Sequence, residues 1–139
     1  MNDLFHNQSG DAQMLRRGLT LVAMCSLLLL GACRSVPVMN VVDAPVGTAR
    51  SAQQVEQAIV SAGNSLGWRM QPLGPGKLQG TLNLRDHRAV VDIEYTAKVY
   101  SIKYKESSPS LNYDGKSIHN NYNGWIENLD RAIRNRLMS

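Results

Sequence analysis

The chain has 139 residues, 15 Lys and Arg against 11 Asp and Glu, and a formal net charge of +4. That length holds one domain with a targeting segment beside it, and it excludes a multidomain enzyme. With 43% hydrophobic and 19% charged residues, the composition is that of a globular chain and excludes disorder throughout. Residues 1–13 are mostly polar and carry Asp3, His6 and Asp11, whereas Met14-Leu15-Arg16-Arg17 reads as a more natural start. Arg16 and Arg17 form a short positive region, Leu19 to Leu30 is almost continuously apolar, and Leu30-Gly31-Ala32-Cys33 ends the run on small residues. A positive start, a short apolar core and a small-residue exit make a secretory signal. The apolar core falls short of the ~20 residues that span a bilayer, and it lacks the polar face of a soluble helix.

Leu30-Gly31-Ala32-Cys33 resembles the lipobox of bacterial lipoprotein precursors, with Leu three residues before the Cys and small residues between. The resemblance implies that Cys33 is joined to diacylglycerol, that the signal is cut after Ala32, and that the new amino terminus is acylated, typically with palmitate. Two or more acyl chains anchor a protein stably. Cys25 fits less well, because Met24 before it is large and apolar residues continue beyond it. On this reading Cys25 leaves with the signal and Cys33 is lipidated, so the mature chain has no free thiol, no disulfide and no Cys-based metal site. Arg34 follows the Cys. In enterobacterial lipoproteins Asp at that position resembles an inner-membrane retention signal, and its absence favours the periplasmic face of the cell outer membrane.

The expected organisation is a signal over 1–32, a lipidated tether over 33–50 and a small α+β domain over 51–139. The signal removes two bases and two acids, so the mature net charge stays +4. Nucleic acid is not an expected partner in that compartment. Lipid head groups, lipopolysaccharide phosphates and cell-wall carboxylates are the polyanions at hand, although a solvated mixed-charge surface explains the balance as well.

Pro37, Pro45 and Gly47 mark 34–50 as an extended linker, in which Val36, Val38, Val41 and Val42 offer a short strand as the alternative. Ser51 and Gln54 match a capping box. Val55, Ala58, Ile59, Ala62 and Leu66 then recur at helical spacing, and Gly67 closes the helix. Trp68 to Leu73 reads as a strand, with Trp68 and Met70 on one face, and Gly74-Pro75-Gly76 as a turn.

Three alternating segments follow. Leu78, Gly80, Leu82 and Leu84 face one way, then Ala89, Val91, Ile93 and Tyr95 after a turn at Asp86-His87, then Tyr100, Ile102 and Tyr104. Period two with one polar face predicts a sheet covered on one side, and Lys103 and Lys105 suit an edge strand. Glu106 to Ser117 reads as a loop. Ile118 to Met138 reads as a helix with the stripe Ile118, Tyr122, Trp125, Ile126, Leu129, Ile133 and Leu137. Glu127 with Arg131, and Asp130 with Arg134, are i,i+4 pairs. Gly124 costs about 1 kcal/mol inside a helix and marks a close contact or a bend. The sum is α-β-β-β-β-α, a four-stranded antiparallel meander with two helices on one face. The run from Tyr100 to Ser107, with Leu111-Asn112-Tyr113, Ile118-His119 and Tyr122-Asn123-Gly124-Trp125, also resembles a group of uncharacterised proteobacterial lipoproteins, which implies no activity.

No constellation for catalysis, cofactor or metal emerges. Gly63-Asn64-Ser65-Leu66-Gly67 matches G-x-S-x-G, but that mechanism needs strand, turn and then helix, and here a helix comes first. His87 and His119 are too few for zinc. Asp92 and Glu94 are expected to pair with Arg85, Arg88 or Lys103 across strands. The candidate interaction surface is Tyr113, His119, Asn120, Asn121 and Asn123, because Asn favours caps and turns over helix interiors. These residues either present a polar face to a partner or glycan or, more plainly, tie down the 106–117 loop. The expected function is a non-enzymatic accessory or structural lipoprotein of the envelope, with a protein partner. A module binding a lipid, glycan or peptidoglycan fragment beside Tyr95, Tyr100, Tyr104 and Trp125 is the alternative.

Overall fold

The computed structural model describes residues 35–48 and 50–139. Cys33, the cleavage position after Ala32 and the whole signal lie outside the described residues. The elements are β1 (Ser35–Pro37), β2 (Val41–Pro45), α1 (Ala52–Ser65), β3 (Arg69–Gly74), β4 (Lys77–Leu84), β5 (His87–Tyr95), β6 (Val99–Ser107), β7 (Ser117–His119) and α2 (Asn120–Met138). A 3₁₀ turn, Pro109–Leu111, interrupts the loop between β6 and β7. The class is α+β, as the alternation predicted. The main sheet has five antiparallel strands in the order β2-β6-β5-β4-β3, and β1 and β7 form a second sheet of two.

Two of the three extra strands, β1 and β2, come from the segment expected to be a linker, and β7 from where the expected loop meets the expected helix. Val41 pairs with Ile102, and Ala44 with Tyr100, so β2 covers the free edge of β6. A bulge between Val41 and Ala44 puts Asp43 at φ 48. There the Asp43 backbone N–H donates to Ser101 Oγ at 2.9 Å, which satisfies a buried hydroxyl. The valines that suggested a strand are the reason: Val41 and Ala44 are buried, while Val42 and Asp43 face out. The edge role expected for Lys103 and Lys105 is therefore overturned, because β6 is interior. These lysines instead bridge to β5, Lys103 to Glu94 at 2.8 Å and Lys105 to Asp92 at 3.2 Å. Arg88 pairs with Glu106 on the same bare face. The true edges, β2 and β3, carry Pro45 and Pro72, whose missing N–H discourages further pairing.

Local signals set the limits of α1. Gln54 N–H donates to Ser51 Oγ at 3.2 Å, and Ser51 N–H to Gln54 Oε1 at 2.8 Å, so both halves of the capping box form. The helix closes in a Schellman turn: Gly67 sits at φ 85, with its N–H on Asn64 O, while the Trp68 N–H reaches back to Gly63 O. That turn swings Leu66 out to solvent and leaves Gly63 buried in its place, against Met70. Leu66 was expected in the core. The apolar spacing carried one residue beyond the point where the backbone reverses.

The core lies between the sheet and the two helices. Ile59 of α1, Leu78, Val91, Ile93 and Ile102 of the sheet, and Ile126, Leu129 and Ile133 of α2 are all fully buried. Ile118 is buried as predicted, but in β7, one residue before α2's cap. Arg50, just before α1, donates to Leu137 O at the end of α2 at 2.7 Å. The amino end of α1 therefore meets the carboxyl end of α2, and the helices run antiparallel. Gly124 faces open space, so a close contact does not explain it.

Candidate functional site

The five candidate residues are Tyr113 of the loop before β7, the cap of α2 and its first turn, and they differ in what they hold. His119 is the N-cap. Its Nδ1 accepts the Asn121 backbone N–H at 3.2 Å, the role a Ser or Asp normally fills. Asn120 and Asn121 are exposed, and their side chains make no hydrogen bond within the described residues. Tyr113 lies across Tyr104, with ring centroids 4.1 Å apart, and Tyr104 in turn meets Tyr122 edge-on at 5.6 Å. The Tyr113 hydroxyl donates to Gly115 O at 3.2 Å.

Asn123 does the most. Its Oδ1 accepts the Met39 N–H at 3.0 Å, and its Nδ2 donates to Pro37 O at 2.9 Å. One planar amide thus copies the donor and acceptor of a strand edge and pins the stretch between β1 and β2 to the helix. Asn40 repeats the device by accepting the Tyr104 N–H at 2.7 Å. The asparagine was expected to tie down the 106–117 loop, and it ties down the amino-terminal segment instead. The loop has its own lacing: Asp114 Oδ1 accepts the N–H groups of Lys116 and Ser117 at 2.9 and 2.7 Å. Those bonds hold the Asp114 carboxyl below the ordinary range.

Sequence reasoning passed over a second cluster. His87 Nδ1 lies 2.8 Å from Ser110 Oγ, and the His87 ring stands 6.1 Å from His119 and 6.0 Å from Trp125. A serine beside a histidine invites a nucleophilic reading, but the geometry gives that serine a different task. Ser110 Oγ also donates to Asp86 O at 3.0 Å and meets Ser108 Oγ at 2.9 Å. The carboxylate beside His87 is Asp86, at 3.9 Å and largely exposed, which is a poor orienter for a catalytic base. The network laces the β4–β5 turn to the loop. Nor do the two histidines make a metal pair. An imidazole Nδ1 that accepts a backbone N–H leaves the proton of the neutral ring on Nε2, where a metal would bind. Among the described residues no group of three or more His, Cys, Asp and Glu is placed to hold a metal ion.

Ser65 of the G-x-S-x-G pattern donates to Ala62 O at 2.7 Å at the end of α1. It ends a helix and does not follow a strand, which is the reverse of a nucleophile turn. The aromatic residues expected to line a ligand cavity are packed or half-buried. Tyr100 is wholly buried and donates to Asp130 Oδ1 at 2.6 Å, while Arg134 holds the other carboxylate oxygen at 2.9 Å. Burial, then the Asp130 bond, push the Tyr100 phenol well above its ordinary range. Tyr95 donates to Glu56 and is pushed up to about 12 for the same two reasons. Trp125 is half-buried. An open groove of about 520 Å³ lies elsewhere, between α1 and β3, lined by Glu56, Val60, Asn64, Met70 and Pro72 among others. Glu127 and Arg131, expected to pair, form no ion pair among the described residues, whereas Asp130 and Arg134 do.

No protein-family model, curated protein or solved structure matches the chain. Among the described residues no helix is long and apolar enough to cross a membrane.

Proposed function

We propose that the protein is a lipoprotein anchored through Cys33 at the periplasmic face of the outer membrane, where it presents its small domain to an envelope protein partner in a non-enzymatic accessory or structural role. One observation carries the reading: Leu30-Gly31-Ala32-Cys33 closes an apolar run two residues before β1 begins at Ser35. Lipidation at Cys33 and a fold starting at once behind it make a single economical unit. The packed tyrosines and the structural ties of Ser65 and Ser110 support a scaffold over an enzyme. They also weigh against a ligand held between sheet and helices, so a lipid, glycan or peptidoglycan fragment would have to use the open groove beside α1.

The test is metabolic labelling with radioactive palmitate, followed by separation of inner and outer membranes. The wild-type chain should take up label and sediment with the outer membrane. Cys33→Ser should take up none and stay a precursor. An intact amino-terminal peptide containing Asp3 in the mature protein would overturn the proposal. Photo-crosslinking probes at Lys103, Tyr113 and Asn121 in living cells then seek the partner, and a discrete protein adduct confined to one face is the expected result.

A further inference from the structure

The turns of the fold sort to two ends. One end holds residues 35–40, the α1–β3 turn around Gly67, the β4–β5 turn at Arg85 and Asp86, the loop after β6 and the first turn of α2. The chain enters the fold here, with Ser35 paired to His119. Cys33 lies two residues earlier, and two extended residues reach ~7 Å at most. If Cys33 carries the acyl chains, this end has no room to stand off from the bilayer.

The same end exposes apolar side chains that the fold does not need outside. Leu66 is 40% exposed where α1 turns back, Leu84 is 47% exposed at the tip of β4, and Tyr113 is 38% exposed on the loop. The charges among them nearly cancel. Arg88 is paired with Glu106, and Asp114 is taken up by its own loop's backbone. Arg85 and Lys116 remain against Asp86, and Arg85 and Lys116 form no ion pair among the described residues. A surface of leucines with a tyrosine whose hydroxyl is satisfied suits the depth of lipid head groups, where an apolar body and a polar tip are both at ease.

We infer that this end of the domain rests on the bilayer that holds its anchor, with Leu66, Leu84 and Tyr113 seated among the head groups and the opposite end, around Leu73 and Met138, turned away. The inference rests on the anchor reading above. It makes the contact apolar and therefore insensitive to salt.

Lipidated mature protein, beginning at Cys33, in phosphatidylethanolamine–phosphatidylglycerol vesicles tests it. Single variants Leu84→Cys, Tyr113→Cys, Leu73→Cys and Met138→Cys carry an environment-sensitive fluorophore, and the lipid carries a nitroxide quencher. Labels at 84 and 113 should shift to the blue and be quenched several-fold more than labels at 73 and 138, unchanged in high salt. Equal, weak quenching at all four positions in vesicle-bound protein overturns the docking and leaves the anchor standing. A blue shift at 84 and 113 without lipid quenching assigns this end to self-association, and also overturns it. Loss of vesicle binding altogether by the lipidated protein overturns the anchor and the docking together.

Discussion

The two ends of α2 are held by different means. At the carboxyl end Ile133 and Leu137 fill the core at helical spacing, Asp130 and Arg134 pair one turn apart, and Arg50 donates to the Leu137 carbonyl. At the amino end His119 supplies the cap, Gly124 interrupts the helix formers, and Asn123 clasps a segment 84 residues earlier. The carboxyl end is stable as any amphipathic helix is, by burying a stripe. The amino end gives up helical propensity to hold the start of the fold in place.

The comparison breaks most severely through the core. Ile133→Ala should cost about 2–5 kcal/mol, read as a fall in the urea midpoint of the whole domain. Asn123→Ala should cost about 1–3 kcal/mol, because it leaves the Met39 N–H and Pro37 carbonyl without partners. Its signature is local: amide exchange at Val38 and Met39 should quicken far more than at Ile126, Leu129 and Ile133 in the core.

Tyr100→Phe should cost about 1–2 kcal/mol, since the bond to the Asp130 carboxylate is lost. It also carries a pH test. The folded state holds the phenols of Tyr95 and Tyr100 above their ordinary value of 10.0. The stabilisation is therefore complete below pH 10.0 and is lost as pH rises through the raised values. Removing the Tyr100 phenol should flatten the alkaline fall in stability. The smallest effect has the opposite sign: Gly124→Ala should gain about 0.5–1 kcal/mol, because a methyl there meets open space. A loss would show that the amino end needs its glycine.

Legibility in the sequence followed the same division. The capping box of Ser51 and Gln54, the closing Gly67 and the Asp130–Arg134 pair were readable because each is complete within five residues. Period two placed Val91, Ile93 and Ile102 on the buried face. Asn123 was singled out for the right reason, its unsuitability to a helix interior, but its partner was not, because nothing local points from residue 123 to residue 39. The same distance hid β1 and β2. Three and five residues with two prolines read as linker until the edges they cover are known. His87 and His119 looked isolated because their meeting depends on how the loop after β6 folds back on the β4–β5 turn.

The clasp on the amino-terminal segment also sets the order in which the fold can close. Asp43 meets Ser101 across 58 residues, Asn40 meets Tyr104 across 64, and Met39 meets Asn123 across 84. Contacts of such long range form late and slowly. A chain emerging amino end first must hold residues 35–45 unpaired until β6, β7 and α2 have followed. Its first-made strands are thus its last to find their places, and the interval in which Val36, Val38 and Val41 stand uncovered is the one in which it most needs protection from its neighbours.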